Sequence, residues 1–304
     1  MKPIARIAAP IVLAMTFGLA SHASAASSNA GPGPFADLDN DGQFTPGDVT
    51  ISSLLSDGRF STNEAEGSYQ PPAGPVGIVL PAGAKVSQRT GNLVLIASGD
   101  LTVDTDVSAV ANDSIVLLVS TGGNITVAPG VHITGGMFVK LSAAGNVTVG
   151  DGASFQTRGH DFGDVLSIVS TGGSIDIGEK VSLNGGGLCQ VATSDDGGGA
   201  ILIGAKSKLA ATAGDVQVTA GMDLAMNGVT VNAPGILIGS HASENGPAEA
   251  LIEGSMLKAG GTDGRIHVYA DGVGGMVNLS GTHMKLSDSA NILITADQVV
   301  HVGQ

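Results

Sequence analysis

The stretch from Ser114 to Gly136, SIVLLVSTGGNITVAPGVHITGG, holds three short β-type runs, Ile115 to Val119, Ile125 to Val127 and Val131 to Thr134, separated by turns rich in Gly, Asn and Pro. It returns as MFVKLSAAGNVTVGDGASF from Met137 and as VLSIVSTGGSIDIGEKVSL from Val165. One such unit cannot bury its own apolar edge, whereas stacked copies can. A repeat of roughly 20 to 30 residues therefore confines the chain to a solenoid.

Rung starts recur at Leu93, Ile115, Met137, Val165, Leu188, Val216, Ile236, Arg265 and Asn291. Within rungs, a Gly and a small polar residue precede an apolar-x-apolar strand: GDLTV at Gly99, GNITV at Gly123, GNVTV at Gly145, GSIDI at Gly173 and GDVQV at Gly214. Alternating Val, Ile or Leu turns one face inward while Thr, Asp or Gln meets water. Glycine supplies tight corners, Asn, Asp and Ser hydrogen-bond the local backbone, and Asn side chains at equivalent corners can stack into ladders. The expectation is an all-β chain folded as a right-handed parallel β-helix of about nine coils, roughly 40 Å long at about 4.8 Å per coil. Antiparallel sandwiches would want longer strands and fewer copies of this motif.

The first residues are of another kind. A basic start at Lys2 and Arg6, an apolar run from Ile7 to Leu19 and Ala23-Ser24-Ala25 read as a secretory signal over residues 1–25. The expected location is secreted, periplasmic or cell-surface, with no transmembrane span after cleavage. The single cysteine, Cys189, lies in an apolar run and reads as a small core residue. Formal net charge is −14, with no Trp, and the few Lys and Arg are scattered. Nucleic acid is excluded as a partner on that balance, and a cation such as Ca2+ suits it better.

After a linker over 26–34, residues 35–57 carry the sharpest motif, FADLDNDGQFTPGDVTISSLL. Asp37, Asp39 and Asp41 take positions 1, 3 and 5 of a twelve-residue loop, Gly42 position 6 and Asp48 position 12. The carbonyl of Gln43 takes position 7 and Thr45 position 9. Alternate oxygens wrapping a sharp glycine turn suit a hard cation. Thr45 caps an expected helix starting at Pro46, with Val49, Ile51, Leu54 and Leu55 near one face. This segment resembles the EF-hand superfamily, and its dockerin type in particular, which also closes its loop with Asp and keeps only an exiting helix. The resemblance implies Ca2+ held by Asp37, Asp39, Asp41, Gln43, Thr45 and Asp48. A lone site of this class binds at about 10⁻⁴ to 10⁻³ M.

Residues 58–90 read as a linker ending in a lead-in strand, Val76 to Leu80, and residues 91–304 as the β-helix repeats. The rungs resemble filamentous-haemagglutinin-type bacterial adhesins, which implies an adhesion, matrix or cell-surface module. Its partner would be a surface or matrix component such as a polysaccharide, with end-to-end oligomers as a further expectation. The alternative is a polysaccharide lyase or glycoside hydrolase acting on acidic glycans. Its residues would come from the corner 157–164, with Arg158, His160, Asp161 and Asp164, or from the pair Asp195 and Asp196. The plainer reading of both is a solvated turn. His132, His241, His283 and His301 stand singly and read as surface or stacking residues, and N-x-[ST] at Asn124, Asn146 and Asn278 reads as turn chemistry.

Overall fold

The computed structural model describes residues 33–51, 58–66, 69–194, 199–241, 247–260, 264–287, 291–297 and 300–301. The expected signal segment and the pair Asp195 and Asp196 lie outside them. Alternating burial builds three sheets of twelve, nine and ten strands. The chain visits them in a fixed order: Ile115–Ser120, Ile125–Val127 and His132–Gly135 make one coil, and Phe138–Ala143, Val147–Val149 and Ser154–Thr157 make the next. Coil stacks on coil by parallel, in-register pairing. The product is an all-β parallel solenoid of about eight regular turns, whose coils begin between Leu93 and Arg265.

The long strands of the ten-stranded sheet start at Leu93, Ile115, Phe138, Val165, Leu188, Asp215, Gly235, Arg265 and Asn291. Each lies within one residue of the rung start read from the sequence. Their spacing runs from 20 residues, between 215 and 235, to 30, between 235 and 265, because corner loops absorb the difference. The expected lead-in strand is Gly77–Leu80, in the twelve-stranded sheet, and the segment around it supplies two strands more: Arg59–Ser61 in the ten-stranded sheet and Val86–Gln88 in the nine-stranded.

Inward residues form apolar columns along the axis. Leu118, Leu141, Ile168, Val191, Val218, Ile238 and Val268 follow one another in register, all buried. Cys189 is fully buried beside that column, and burial pushes its thiol up to about 12, so it is a small core residue and no nucleophile.

The corners are held by polar ladders. The Asn124 N–H donates to Asp100 Oδ1 (2.7 Å), the Asn146 N–H to Asn124 Oδ1 (2.8 Å) and the Ser174 N–H to Asn146 Oδ1 (2.8 Å). Gly145 leaves room for this stack, since a Cβ there would sit 2.5 Å from Asn124 Oδ1. Asn278 instead takes the N–H of Ser280 at 3.0 Å. The side chains of Asn124, Asn146 and Asn278 are thus spent on corner hydrogen bonds.

Antiparallel pairing is confined, among the described residues, to the N-terminal end. Phe35–Asp37 pairs with Val49–Thr50 on one side and with Gly77–Leu80 on the other, and Glu66 bridges Tyr69. This overturns the helix expected from Pro46. Residues 46–47 form a turn, Val49–Thr50 is a strand, and Ile51 is buried with its N–H on the Pro34 carbonyl at 2.8 Å. The backbone edge of Phe35–Asp37 needs a partner, and pairing with it satisfies groups that a helical turn would leave open. Leu54 and Leu55 lie outside the described residues. Among those described there is no helix, and none long and apolar enough to cross a membrane.

Candidate metal centre

Asp37 ends the strand next to the edge of the twelve-stranded sheet, between Val49–Thr50 and Gly77–Leu80; it lies opposite Gly77 and is 2% exposed. The chain then doubles back through two left-handed residues, Asn40 (φ 60°) and Gly42 (φ 77°). That turn aims amides at the first carboxylate: the Gly42 N–H donates to Asp37 Oδ2 at 2.8 Å and the Asp41 N–H to Oδ1 at 3.3 Å. Asp48 closes the loop, accepting from the Leu38 N–H at 2.8 Å and the Thr45 N–H at 2.6 Å.

Asp37, Asp39 and Asp48 each present a carboxylate oxygen within 4.8 Å of the others. The Thr45 hydroxyl sits at the margin, 3.2 Å from Asp48 Oδ2 and 3.4 Å from Asp39 Oδ2. Asp41 stands apart from that trio, its carboxylate turned to the Gln43 N–H at 2.7 Å. Of the six residues expected to ligate, three converge and Thr45 borders them, while the Asp41 carboxylate accepts from the Gln43 N–H.

Burial raises the Asp37 carboxyl above its usual range, and the neighbouring Asp39 and the charge of Asp48 raise it further against the backbone N–H bonds that lower it. Three crowded carboxylates, one withdrawn from water, fit an oxygen-liganded hard cation, which would neutralise their repulsion. The loop is also keyed into the solenoid. Asn40 Oδ1 lies where a Cβ would sit at Gly77 (2.7 Å) or at Gly99 (3.0 Å), so glycine at both lets the loop seat on the first coils. Phe44 packs edge-on against Phe35, ring centroids 5.3 Å apart, instead of on the expected helix.

The corner 157–164 is built for structure. The Arg158 guanidinium donates to the Val110 carbonyl at 3.2 Å. Asp164, 6% exposed, accepts the Asp161 N–H at 2.8 Å, while its own carbonyl receives the N–H groups of Gly187 and Leu188. His160 and Asp161 face solvent.

A different cluster escaped the sequence reading. His241, expected to stand alone, faces Asp271 Oδ2 through Nδ1 at 3.3 Å and the Tyr269 hydroxyl through Nε2 at 2.8 Å. His267 packs its ring 5.2 Å from that of Tyr269. These residues lie one coil apart, and nothing in local spacing announces the meeting.

No family model, curated protein or solved structure matches the chain. The arrangement of the residues themselves therefore carries the functional reading.

Proposed function

We propose that this is an exported, calcium-binding, right-handed β-solenoid that works as a non-catalytic adhesion, matrix or cell-surface module. The observation that carries the reading is the convergence of Asp37, Asp39 and Asp48 beside the strand that closes the solenoid's N-terminal edge. A cation there would tie the loop shut and hold the closing strand in place. Calcium is preferred because every offered ligand is a hard oxygen, three of them carboxylate. Export is read from the leader-like residues 1–25, and an exported chain with one cysteine has no internal disulfide, so its stability would come from packing or bound metal. The catalytic alternative has less behind it, since Asp164 and Arg158 are already committed to backbone groups.

The test is calcium titration of the full chain by calorimetry and by thermal melting, beside Asp37→Asn and Asp48→Asn. Binding in the range of about 10⁻⁴ to 10⁻³ M that either substitution abolishes is the expected result. Equal heats in wild type and both variants would remove the loop as a calcium site. Turnover of polygalacturonate or alginate, lost in Asp161→Asn, would overturn the non-catalytic reading.

A further inference from the structure

The strands of the nine-stranded sheet carry Lys208, Lys258 and Lys285 and neither Asp nor Glu, in a chain whose net charge is −14. Lys180 and Lys206 continue the stripe at the corner leading into this sheet. Both adopt positive φ, 58° and 63°, at the level where adjoining coils place Gly152 and Gly228. The stacking is direct: the Gly152 N–H donates to the Glu179 carbonyl, the Lys180 N–H to Ala205 and the Lys206 N–H to Gly228. A side chain in the left-handed region carries a backbone cost that glycine avoids, so two lysines stand where the fold alone favours glycine.

Among the described residues none of these five lysines is in an ion pair, whereas Arg59 and Arg265 of the ten-stranded sheet meet Glu64 at 3.0 Å and Asp215 at 2.8 Å. Lys258 and Lys285 are register partners on adjoining strands. Like charges about 4.8 Å apart repel unless an anion lies over them. Between the lysines the same outward columns hold Ser182, Thr230, Asn184 and Asn232, hydroxyl and amide groups that both donate and accept hydrogen bonds. Asp104, Asp106, Asp151, Glu179 and Glu253 sit at that corner and bound the stripe on one side, with Asp106 and Asp151 accepting the N–H groups of His132 and Glu179 from the next coil.

We infer that the nine-stranded sheet is the docking face for a linear acidic polysaccharide laid along the solenoid axis. This names the partner of the interaction module proposed above and rests on that reading. Spaced anionic groups would meet the lysines, and sugar hydroxyls the amides and hydroxyls between them. A single-stranded nucleic acid would want broad aromatic platforms, and the only Phe, Tyr or Trp in these nine strands, Phe155, is buried. A lipid surface would want a band of apolar side chains, whereas the outward positions here are polar apart from Ala210 and Met256.

The experiment is binding of the full chain to polygalacturonate, to neutral dextran, to an oligothymidylate and to phosphatidylglycerol vesicles. Expected are binding to polygalacturonate that weakens as salt rises from about 50 to 500 mM, and none to dextran. The triple variant Lys208→Gln, Lys258→Gln, Lys285→Gln should bind about tenfold more weakly, and Lys140→Gln on the ten-stranded sheet should bind as wild type. Lys180→Gly with Lys206→Gly removes two cations while easing the backbone, so its weaker binding cannot come from misfolding. Absent binding, equal binding to dextran, tighter binding to the oligonucleotide or vesicles, or both lysine variants within twofold of wild type would overturn the inference. Calcium heats in the same preparations separate the two readings. Retained calcium binding without glycan binding sinks this face alone, and the reverse sinks the loop alone.

Discussion

Turned inward, the twelve-stranded sheet stacks Ile125, Val147, Ile175 and Ile201, and the nine-stranded sheet stacks Ile133, Phe155, Leu183 and Leu209, every one buried. Turned outward, the same two sheets part company. The twelve-stranded sheet carries Asp176, Glu249 and Glu253, with Asp37 covered by its own loop, and neither Lys nor Arg, and the nine-stranded sheet carries three lysines and no carboxylate. Inward positions admit one solution, apolar and of fitting volume, because unfilled space or an unpaired polar group there costs heavily. Outward positions are nearly free of that demand. Their charge is left to be set by what the surface meets: in the readings proposed above, a cation at the acidic edge and a polyanion on the basic face.

That contrast can be broken first from the inside. Phe155→Ala beneath the basic face should cost about 3–5 kcal/mol and Ile201→Ala beneath the acidic one about 2–5 kcal/mol, read by denaturant melts. A loss under about 1 kcal/mol at one site alone would show that the two interiors are not equivalent.

Next in size is the acidic edge with its cation. With a dissociation constant of about 10⁻⁴ to 10⁻³ M, 10 mM calcium should stabilise the wild type by roughly 1.4–2.7 kcal/mol and leave Asp37→Asn unmoved. An equal rise in both would detach the effect from the loop.

A smaller effect should appear as pH dependence on the acidic face. Burial raises the Asp176 carboxyl, helped by Asp151, and burial raises Glu249, helped by Asp223 and Glu253. A carboxyl whose folded pKa lies above its unfolded value contributes stability that is fully present below the ordinary range near about 4 and is lost as pH rises through the folded value. The melting temperature without metal should therefore climb as pH falls from about 7 towards the ordinary carboxylate value of about 4, and Asp176→Asn with Glu249→Gln should flatten that slope. An unchanged slope would show that these two groups do not govern it.

Smallest of all, Lys258→Gln should alter stability by less than about 0.5 kcal/mol, with a slight gain from relieved repulsion at Lys285. A loss above 1 kcal/mol would make the lysine part of the scaffold and remove the freedom attributed to the outward positions.

Much of this architecture was legible because a solenoid's long-range contacts repeat a local pattern. Alternation in GNITV and GNVTV fixes which residues point inward, and the preceding Asn shows where the corner ladder runs. The metal loop was half legible. Spacing placed Asp37, Asp39 and Asp48 together, but the turn of Asp41 towards Gln43 depends on backbone angles at Asn40 and Gly42. The expected helix failed because Val49 and Ile51 fit a helical face as well as a buried strand, and the free edge of Phe35–Asp37 decided between them. The meeting of His241, Tyr269 and Asp271 had no local signal at all.

By itself the amino-acid order determined the column: an apolar residue at every second position and a flexible corner after each run leave few ways to bury so much surface except by stacking. Only the tertiary structure decided how the column is closed at its N-terminal end, by an antiparallel strand, and how charge is parted between its faces. The physical reason is range. Side-chain alternation acts between neighbours in the chain, whereas the neighbours of Lys258 across the sheet lie a full coil away, and only stacking sets them side by side.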